Sequence, residues 1–336
     1  MKRLAEVTTF RVGGPAQEFF VATCESELIE LVEGADASDT PVLVIGGGSN
    51  ILVADAGFPG RVIQVATKGV EAESDACSGG MVTVQAGEDW DAFVSWANSK
   101  GFIGIETLAG IPGTVGAAPI QNIGAYGHEV SEVIARVRTF DRKERRLTTF
   151  SVEQCDFGYR TSRFKSEPDR FLILDVTFQM KQGELSSPVQ YQELADALGV
   201  ALGERAPMKR VLEATLAIRK KKGMVLDEND RDTWSAGSFF TNPIIDTSKL
   251  PEGSPSWPTS DGKVKVSAAW LIENAGISKG MKHGGAAISS KHVLAITNQG
   301  GATASEIYEL SKMCSDAVKK KFGIELESEV RLFGFA

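Results

Sequence analysis

Pro41-Val42-Leu43-Val44-Ile45-Gly46-Gly47-Gly48-Ser49-Asn50 is a short β-branched apolar run that stops at three glycines and two small hydrogen-bonding residues. The apolar half reads as a buried strand. The glycines let backbone N–H groups come close to a bound group, and Ser49 and Asn50 add donors, so the second half reads either as a pyrophosphate cradle or, more plainly, as a tight turn. It fits neither the G-x-G-x-x-G nor the Walker spacing, so neither a Rossmann unit nor a P-loop is expected. Upstream, residues 18–22 read as a strand and residues 26–33 as a helix with Leu28, Ile29, Leu31 and Val32 on one side. Downstream, 51–53 and 61–65 read as further strands, and a first compact domain closes near Ala66.

Residues 82–84 then alternate as a strand, and 90–99 read as a helix with Phe93, Val94, Trp96 and Ala97 on its apolar side. From 101 to 127 the chain is dense in Gly, Ala and Pro, with Gly110-Ile111-Pro112-Gly113-Thr114-Val115-Gly116-Ala117 and Asn122-Ile123-Gly124-Ala125-Tyr126-Gly127. Little of it reads as regular structure. A flat group needs bare backbone along its face, and two glycine-rich loops are hard to explain as turns, so together they point to a dinucleotide. Alternating strands at 133–140 and 171–180, separated by charged turns, imply an antiparallel sheet and the α+β class. The texture changes again near 219, where a further domain is expected to begin. A helix over 303–321 and a strand over 328–333, returning to an earlier sheet, close the chain.

The 336 residues suit two or three domains. With 42% hydrophobic and 24% charged residues the composition is that of a globular protein. The net charge of −8 and the shortness of the basic clusters argue against nucleic acid as a partner. Every apolar stretch is soon broken by Gly, Pro or charge, so neither a membrane span nor an export signal is expected. Cys24, Cys77, Cys155 and Cys314 lie far apart; they form no metal or dithiol pair and fit a reducing, cytoplasmic setting.

Three segments carry candidate chemistry. Tyr159-Arg160 sets a fixed cation beside a phenol, useful for a carboxylate or forming enolate, although a solvated basic loop has the same composition. Ser238, next to Gly237 and two phenylalanines, offers a hydroxyl for proton delivery in a dry pocket, with a buried structural serine as the plainer alternative. No G-x-S-x-G surrounds it, which disfavours acyl transfer. Glu325, Glu327 and Glu329 alternate along one face of the tail, and these residues alone select none of them.

Eight ordered blocks resemble the UDP-N-acetylenolpyruvoylglucosamine reductase family over nearly the whole chain: 9–14, 44–50, 108–127, Gly158-Tyr159-Arg160, 235–243, 268–272, 279–287 and Glu329-Val330-Arg331. The resemblance implies the FAD-binding fold of the vanillyl-alcohol-oxidase and para-cresol-methylhydroxylase type, with two FAD-binding lobes (1–66, and 67–218 joined by 325–336) and an α+β substrate-binding domain (219–324). It implies a cytoplasmic, monomeric oxidoreductase acting on a C=C bond, in which NADPH and non-covalent FAD reduce the enolpyruvyl ether of a UDP-sugar for peptidoglycan synthesis. It carries catalysis onto Arg160, Ser238 and Glu329. FAD would lie on Gly46, Gly47, Gly48, Ser49, Asn50, Gly110, Ile111, Pro112, Gly113, Thr114, Gly116, Ala117, Asn122 and Gly124. Substrate contacts would come from Tyr126, Tyr159, Tyr191, Lys222, Asn242, Lys279 and Arg331, with Tyr191 on a substrate-covering loop and Lys220 or Lys221 as alternatives to Lys222. Another FAD oxidase, tethering its flavin through His128 or Cys155, and a flavin-free nucleotide-sugar binder remain alternatives.

Overall fold

A computed structural model describes residues 1–75 and 79–335; Cys77 lies outside them. The chain opens with strand β1 (Ala16–Ala22), helix α1 (Glu25–Ala37), β2 (Val42–Ile45), β3 (Ile51–Val53) and β4 (Phe58–Val65). β4 is the centre of a three-stranded sheet between β1 and β2, and β2 runs parallel to it with Val42 opposite Arg61 and Ile45 opposite Gln64. Glu25 and Glu27 in the first turn of α1 complement its positive end.

Next come β5 (Val70–Asp75), β6 (Gly79–Gln85), α2 (Trp90–Ser99), β7 (Phe102–Ile103), β8 (Gly124–Ala125), β9 (His128–Glu129), β10 (Ile134–Asp141), β11 (Arg146–Ser151), α3 (Arg163–Ser166) and β12 (Phe171–Gln182). The antiparallel sheet expected from the alternating strands is present, in the order β11-β10-β12-β6-β5. Helix α2 occupies the expected residues because its signals agree: Asp89 caps it by accepting from Ala92 N at 2.8 Å, and Trp90, Phe93, Val94 and Ala97 form one buried stripe. Trp90, Phe93 and Phe178 of β12 pack ring to ring at 5.0–6.2 Å.

Helices α4 (Gln192–Leu198) and α5 (Met208–Lys221) follow. Neither is legible in advance; the buried stripe of α5 includes Thr215 and Arg219 beside Met208, Val211 and Ile218, so its apolar period is diluted. The remainder holds β13 (Ile244–Ile245), β14 (Ser256–Pro258), β15 (Val264–Val266), α6 (Ala268–Asn274), β16 (Lys282–His283), β17 (Ala286–Ile288), β18 (Ile296–Asn298), α7 (Ala304–Phe322) and β19 (Arg331–Phe333). α7 starts in a Thr303/Glu306 capping box and stops at Gly323, whose φ of +67° ends the helix at no steric cost.

Internal contacts divide the chain into two compact units. The first holds residues 16–47 and 59–221, the second 2–15, 48–58 and 222–336, so the chain crosses between them within the first glycine loop, after Gly47. The first unit is built on the core around Trp90 and Phe178, with a smaller cluster of Val189, Leu194, Leu198 and Val211. The second has its own core of Phe10, Leu52, Phe239, Leu271, Ile307 and Leu310. The chain end was expected to return to residues 67–218. It pairs instead with β3, Arg331 beside Ile51 and Phe333 beside Val53, in a two-stranded parallel ladder inside the second unit. The expected strand over 328–333 is shortened to three residues because Ser328 and Glu329 bond to the 239–240 backbone instead.

Candidate active site

In the first unit the two glycine-rich loops lie against each other. A Cβ on Gly47 would sit 3.1 Å from Gly113 Cα, and one on Gly46 would run into the Thr114 side chain. The second loop is fixed to the start of α2: Trp90 N donates to Gly113 O at 3.1 Å, Trp90 Nε1 to Leu108 O at 3.1 Å, and Asp91 Oδ1 accepts from Gly110 N at 2.6 Å. Arg219 of α5, buried and unnoticed in the sequence because it opens a basic run, donates to Gly110 O at 3.3 Å. Ile111, Pro112, Gly113, Thr114 and Ala117 are partly accessible, whereas Gly110 and Gly116 are buried; a Cβ on Gly116 would meet Ala86 at 2.5 Å. Gly116 thus serves close packing against Ala86, Gly110 is held at φ +73° by its bonds to Asp91 and Arg219, and the accessible faces are those of Gly46, Gly47 and 111–114.

Arg160 is held by irregular backbone. Its φ is +53°, and its guanidinium donates to Gly124 O at 2.6 Å and Asn122 O at 3.4 Å. Tyr159 lies under the guanidinium, 5.4 Å from ring centroid to Cζ, and the Arg160 carbonyl accepts from Lys165 Nζ at 2.8 Å. Asn122, expected among the flavin contacts, is fully buried at φ +47°: its amide donates to Glu129 Oε2 (2.7 Å) and Gly158 O (3.1 Å) and accepts from Ser131 N (3.1 Å). It therefore locks the loop that Arg160 leans on. Gly124 opens the β8–β9 hairpin, whose tip, Tyr126-Gly127, has φ +52° and +90°, the mirror-image turn that suits two-residue hairpins. Tyr126 meets Tyr191 edge to face at 5.6 Å, and burial pushes its phenol up to about 12. It stays protonated through the working range and acts as a hydrogen-bonding group, not a base.

In the second unit, Ser238 and Glu329 ride on paired extended backbone. Ser238 bridges Ala295, Phe239 N donates to Leu294 O at 2.8 Å, and Glu329 N donates to Phe239 O at 2.8 Å. Asn50 joins them: its side chain donates to Glu329 O at 3.0 Å, and its carbonyl accepts from Arg331 N at 3.1 Å. Gly48 is buried at φ +61° with Val7 O where a Cβ would be, and the Gly48 and Ser49 carbonyls accept from Thr9 N (3.2 Å) and Thr9 Oγ1 (3.5 Å). Glu329 is half-buried, while Glu325 and Glu327 are exposed and Glu325 pairs with Lys319 at 2.6 Å. Asn242 Oδ1 accepts from Ala268 N at 2.9 Å at the start of α6, which orients its donor end. Lys222 is half-buried, Lys220, Lys221 and Lys279 are exposed, and Arg331 stands over Phe333 at 5.0 Å. Buried Asn298, missed in the sequence, donates to Phe10 O and Arg11 O and accepts from Gly300 N and Ala302 N, fixing the 10–11 segment.

Among the described residues no three His, Cys, Asp or Glu side chains are grouped to hold a metal ion, and no helix is long and apolar enough to cross a membrane. Bare backbone along two touching loops, supported from behind by α2 and α5, suits a flat dinucleotide carrying a pyrophosphate. Residues 16–149, which contain both loops, match the family described as FAD binding domain. Fold and loops together define an FAD-binding oxidoreductase. Residues 228–333 match the UDP-N-acetylenolpyruvoylglucosamine reductase C-terminal domain. The chain is 54% identical over 334 residues to the protein of that name from Cutibacterium acnes, covering 98% of this chain and 89% of the relative. It is 46% identical to that of Streptomyces avermitilis, covering 97% and 92%. The solved reductase of Thermus caldophilus superposes with a TM-score of 0.67 at 28% identity, covering 99% of this chain and 97% of that one. The chain belongs to the UDP-N-acetylenolpyruvoylglucosamine reductase family, and its FAD-binding α+β fold is the one the eight sequence blocks imply.

Proposed function

We propose that Arg160, Ser238 and Glu329 carry out this family's reaction in the present chain, the NADPH-driven, FAD-dependent reduction of UDP-N-acetylglucosamine enolpyruvate to UDP-N-acetylmuramic acid for peptidoglycan synthesis. The observation that carries the activity is the near full-length identity to several proteins named for it. FAD, when bound, would supply the redox chemistry that links oxidation of NADPH to reduction of the enolpyruvyl double bond. The residues that would hold it are Gly46, Gly47, Gly48, Ser49 and Asn50 of the first loop and Ile111, Pro112, Gly113, Thr114, Ala117 and Gly124 of the second, while buried Gly110, Gly116 and Asn122 keep those loops in shape.

Negative charge grows on the substrate carboxylate as its neighbouring carbon becomes carbanionic. The Arg160 guanidinium, already fixed by two carbonyls, stabilises it without reorganising, and Glu329 is assigned to the same developing charge. Ser238 delivers the proton that sets the D-lactyl configuration. A serine hydroxyl is a weak acid, so the transfer needs a strongly basic carbon beside it. Tyr126, Tyr159 and Tyr191 are assigned to the substrate, and so are Lys222, Asn242, Lys279 and Arg331, of which Lys222 and the Asn242 donor suit a diphosphate. The functional lobes proposed are 1–66, 67–218 and 219–324, in a monomeric cytoplasmic enzyme without nucleic-acid partners.

A covalently tethered flavin oxidase is the reading the local chemistry disfavours. His128 is 3% exposed with both ring nitrogens engaged, and Cys155 is 0% exposed with its thiol pushed by burial to about 12. Neither is placed to be a tether, and acid precipitation is expected to release all flavin to the supernatant. The deciding experiment is anaerobic. NADPH-reduced enzyme mixed with UDP-N-acetylglucosamine enolpyruvate is expected to regain its oxidised-flavin spectrum, and persistent bleaching would end the proposal. Ser238→Ala is expected to spare flavin reduction and slow reoxidation by about 10²- to 10⁴-fold.

A further inference from the structure

His128 has no part in the chemistry above, yet it is buried on the hairpin that carries Tyr126, with a hydrogen-bond acceptor at each ring nitrogen. Nε2 lies 2.9 Å from the carbonyl of Pro188, and Nδ1 lies 2.8 Å from Glu132 Oε2. A carbonyl can only accept, so Nε2 bears a proton. An ionised carboxylate can only accept, so Nδ1 bears one too. We propose that His128 is a positioning residue which, as an imidazolium, latches the 186–191 segment and so sets Tyr191 in place for substrate.

The segment has few other supports of this kind. Glu106, a buried carboxylate from the turn at Glu106–Leu108, accepts from Ser187 N at 2.7 Å while its other oxygen accepts from Gly104 N at 2.7 Å. Val189 N bonds to Glu204 O at 2.8 Å, Gln190 lies against Gly127, where a Cβ would be 2.7 Å from its own, and Tyr191 packs on Tyr126. Main-chain pairing to 203–206, Glu106 and His128 thus determine where the three residues after Pro188 go.

The charged groups facing the imidazole are Glu132 on its own turn and Glu106 from the neighbouring one; residues 186–190 carry no ionisable side chain. Burial alone would pull His128 down, but the bonds to Glu132 and Pro188 and the charge of Glu106 lift it above the ordinary imidazole value. Burial would likewise raise Glu132, yet the His128 bond brings it below its ordinary value, so the pair is ionised together. The unfolded histidine titrates near ~6.5. The latch is therefore complete below that pH and is lost as pH rises through the higher folded value, when one of the two bonds must go.

The test uses flavin-loaded wild type, His128→Gln and Glu132→Gln between pH 6 and 9, reading hydrogen exchange in 186–191 corrected for intrinsic rate, and KM for the UDP-sugar. In the wild type both are expected to step up on the alkaline side, KM by about three- to tenfold for one lost hydrogen bond. His128→Gln is expected to abolish the step. Glu132→Gln, at a half-exposed side chain that tolerates exchange, is expected to move its midpoint to lower pH. A step that persists in His128→Gln, or an unmoved midpoint in Glu132→Gln, overturns the latch. The link to substrate rests on the assignment of Tyr191, and the two failures differ. An exchange step without a KM step, together with an unchanged KM in Tyr191→Phe, overturns the Tyr191 assignment alone.

Discussion

The two units present their candidate catalytic groups on different kinds of backbone. Ser238 and Glu329 stand on extended segments whose own N–H and C=O groups are paired across to Ala295, Leu294 and Phe239. Arg160 stands in a left-handed turn, and its side chain, with the Asn122 amide bond to Gly158 O, ties that turn to the 122–124 segment. Asn122, Tyr126 and Arg160 are all non-glycine residues at positive φ, which costs roughly 1–2 kcal/mol at each position. Strain of this kind persists only where surrounding bonds over-determine the conformation. In the second unit a candidate side chain can change without moving the backbone; in the first, the candidate side chain is itself a fastening.

The largest effects should expose that difference. Arg160→Ala is expected to lower kcat/KM by about 10³-fold or more, because preorganised charge stabilisation is lost. It is also expected to lower stability in urea titrations by about 1–3 kcal/mol, since two carbonyls lose their donor while alanine keeps the left-handed strain. Arg160→Gly, which removes the strain, is expected to recover roughly 1 kcal/mol of that loss and none of the activity. Ser238→Ala is expected to lose activity with stability changed by less than about 0.5 kcal/mol. If Ser238→Ala destabilises as much as Arg160→Ala, the distinction between the two backbones fails.

A second pair tests the glycine loop where the chain passes from one unit to the other. Gly48 needs its positive φ and has Val7 O in the place of a Cβ, whereas Gly47 is exposed and 3.1 Å from Gly113 Cα at the Cβ position. Gly48→Ala is expected to cost upward of ~2 kcal/mol, adding backbone strain to a clash. Gly47→Ala is expected to cost under about 1 kcal/mol and to show mainly as faster flavin loss on dilution. Equal losses of stability would mean that both glycines serve folding and neither is kept for the cofactor.

What the sequence disclosed follows the same division. α2 and α7 were legible to within a residue because stripe and cap agree at Asp89 and Thr303. The glycine loops were legible as loops, but Gly47, open to solvent, and Gly116, closed under Ala86, look identical in one dimension. Glu106, Arg219 and Asn298 were invisible, since each has a main-chain partner distant in sequence and nothing in composition marks them. The choice of Glu329 over Glu325 and Glu327 came from the family resemblance; the fold adds a reason, as Glu329 is the least exposed of the three and its backbone is bonded to Asn50 and Phe239.

The smallest expected effect concerns Tyr126, at positive φ on the hairpin tip. Burial holds its phenol in the neutral form up to about 12, against the ordinary ~10 of an unfolded chain. The stability this adds is complete below pH ~10 and disappears as pH rises from there toward 12, because unfolding then releases a proton that the folded phenol keeps. Tyr126→Phe retains the edge-to-face contact with Tyr191 and is expected to change stability near neutral pH by less than ~1 kcal/mol. Its alkaline unfolding curve is expected to lack the part of the wild-type decline that belongs to this group, measured by denaturant midpoint between pH 9 and 11. An alkaline decline identical in both proteins would show that the Tyr126 phenol is solvated, and that the hairpin tip is looser than the pinned turn at Arg160.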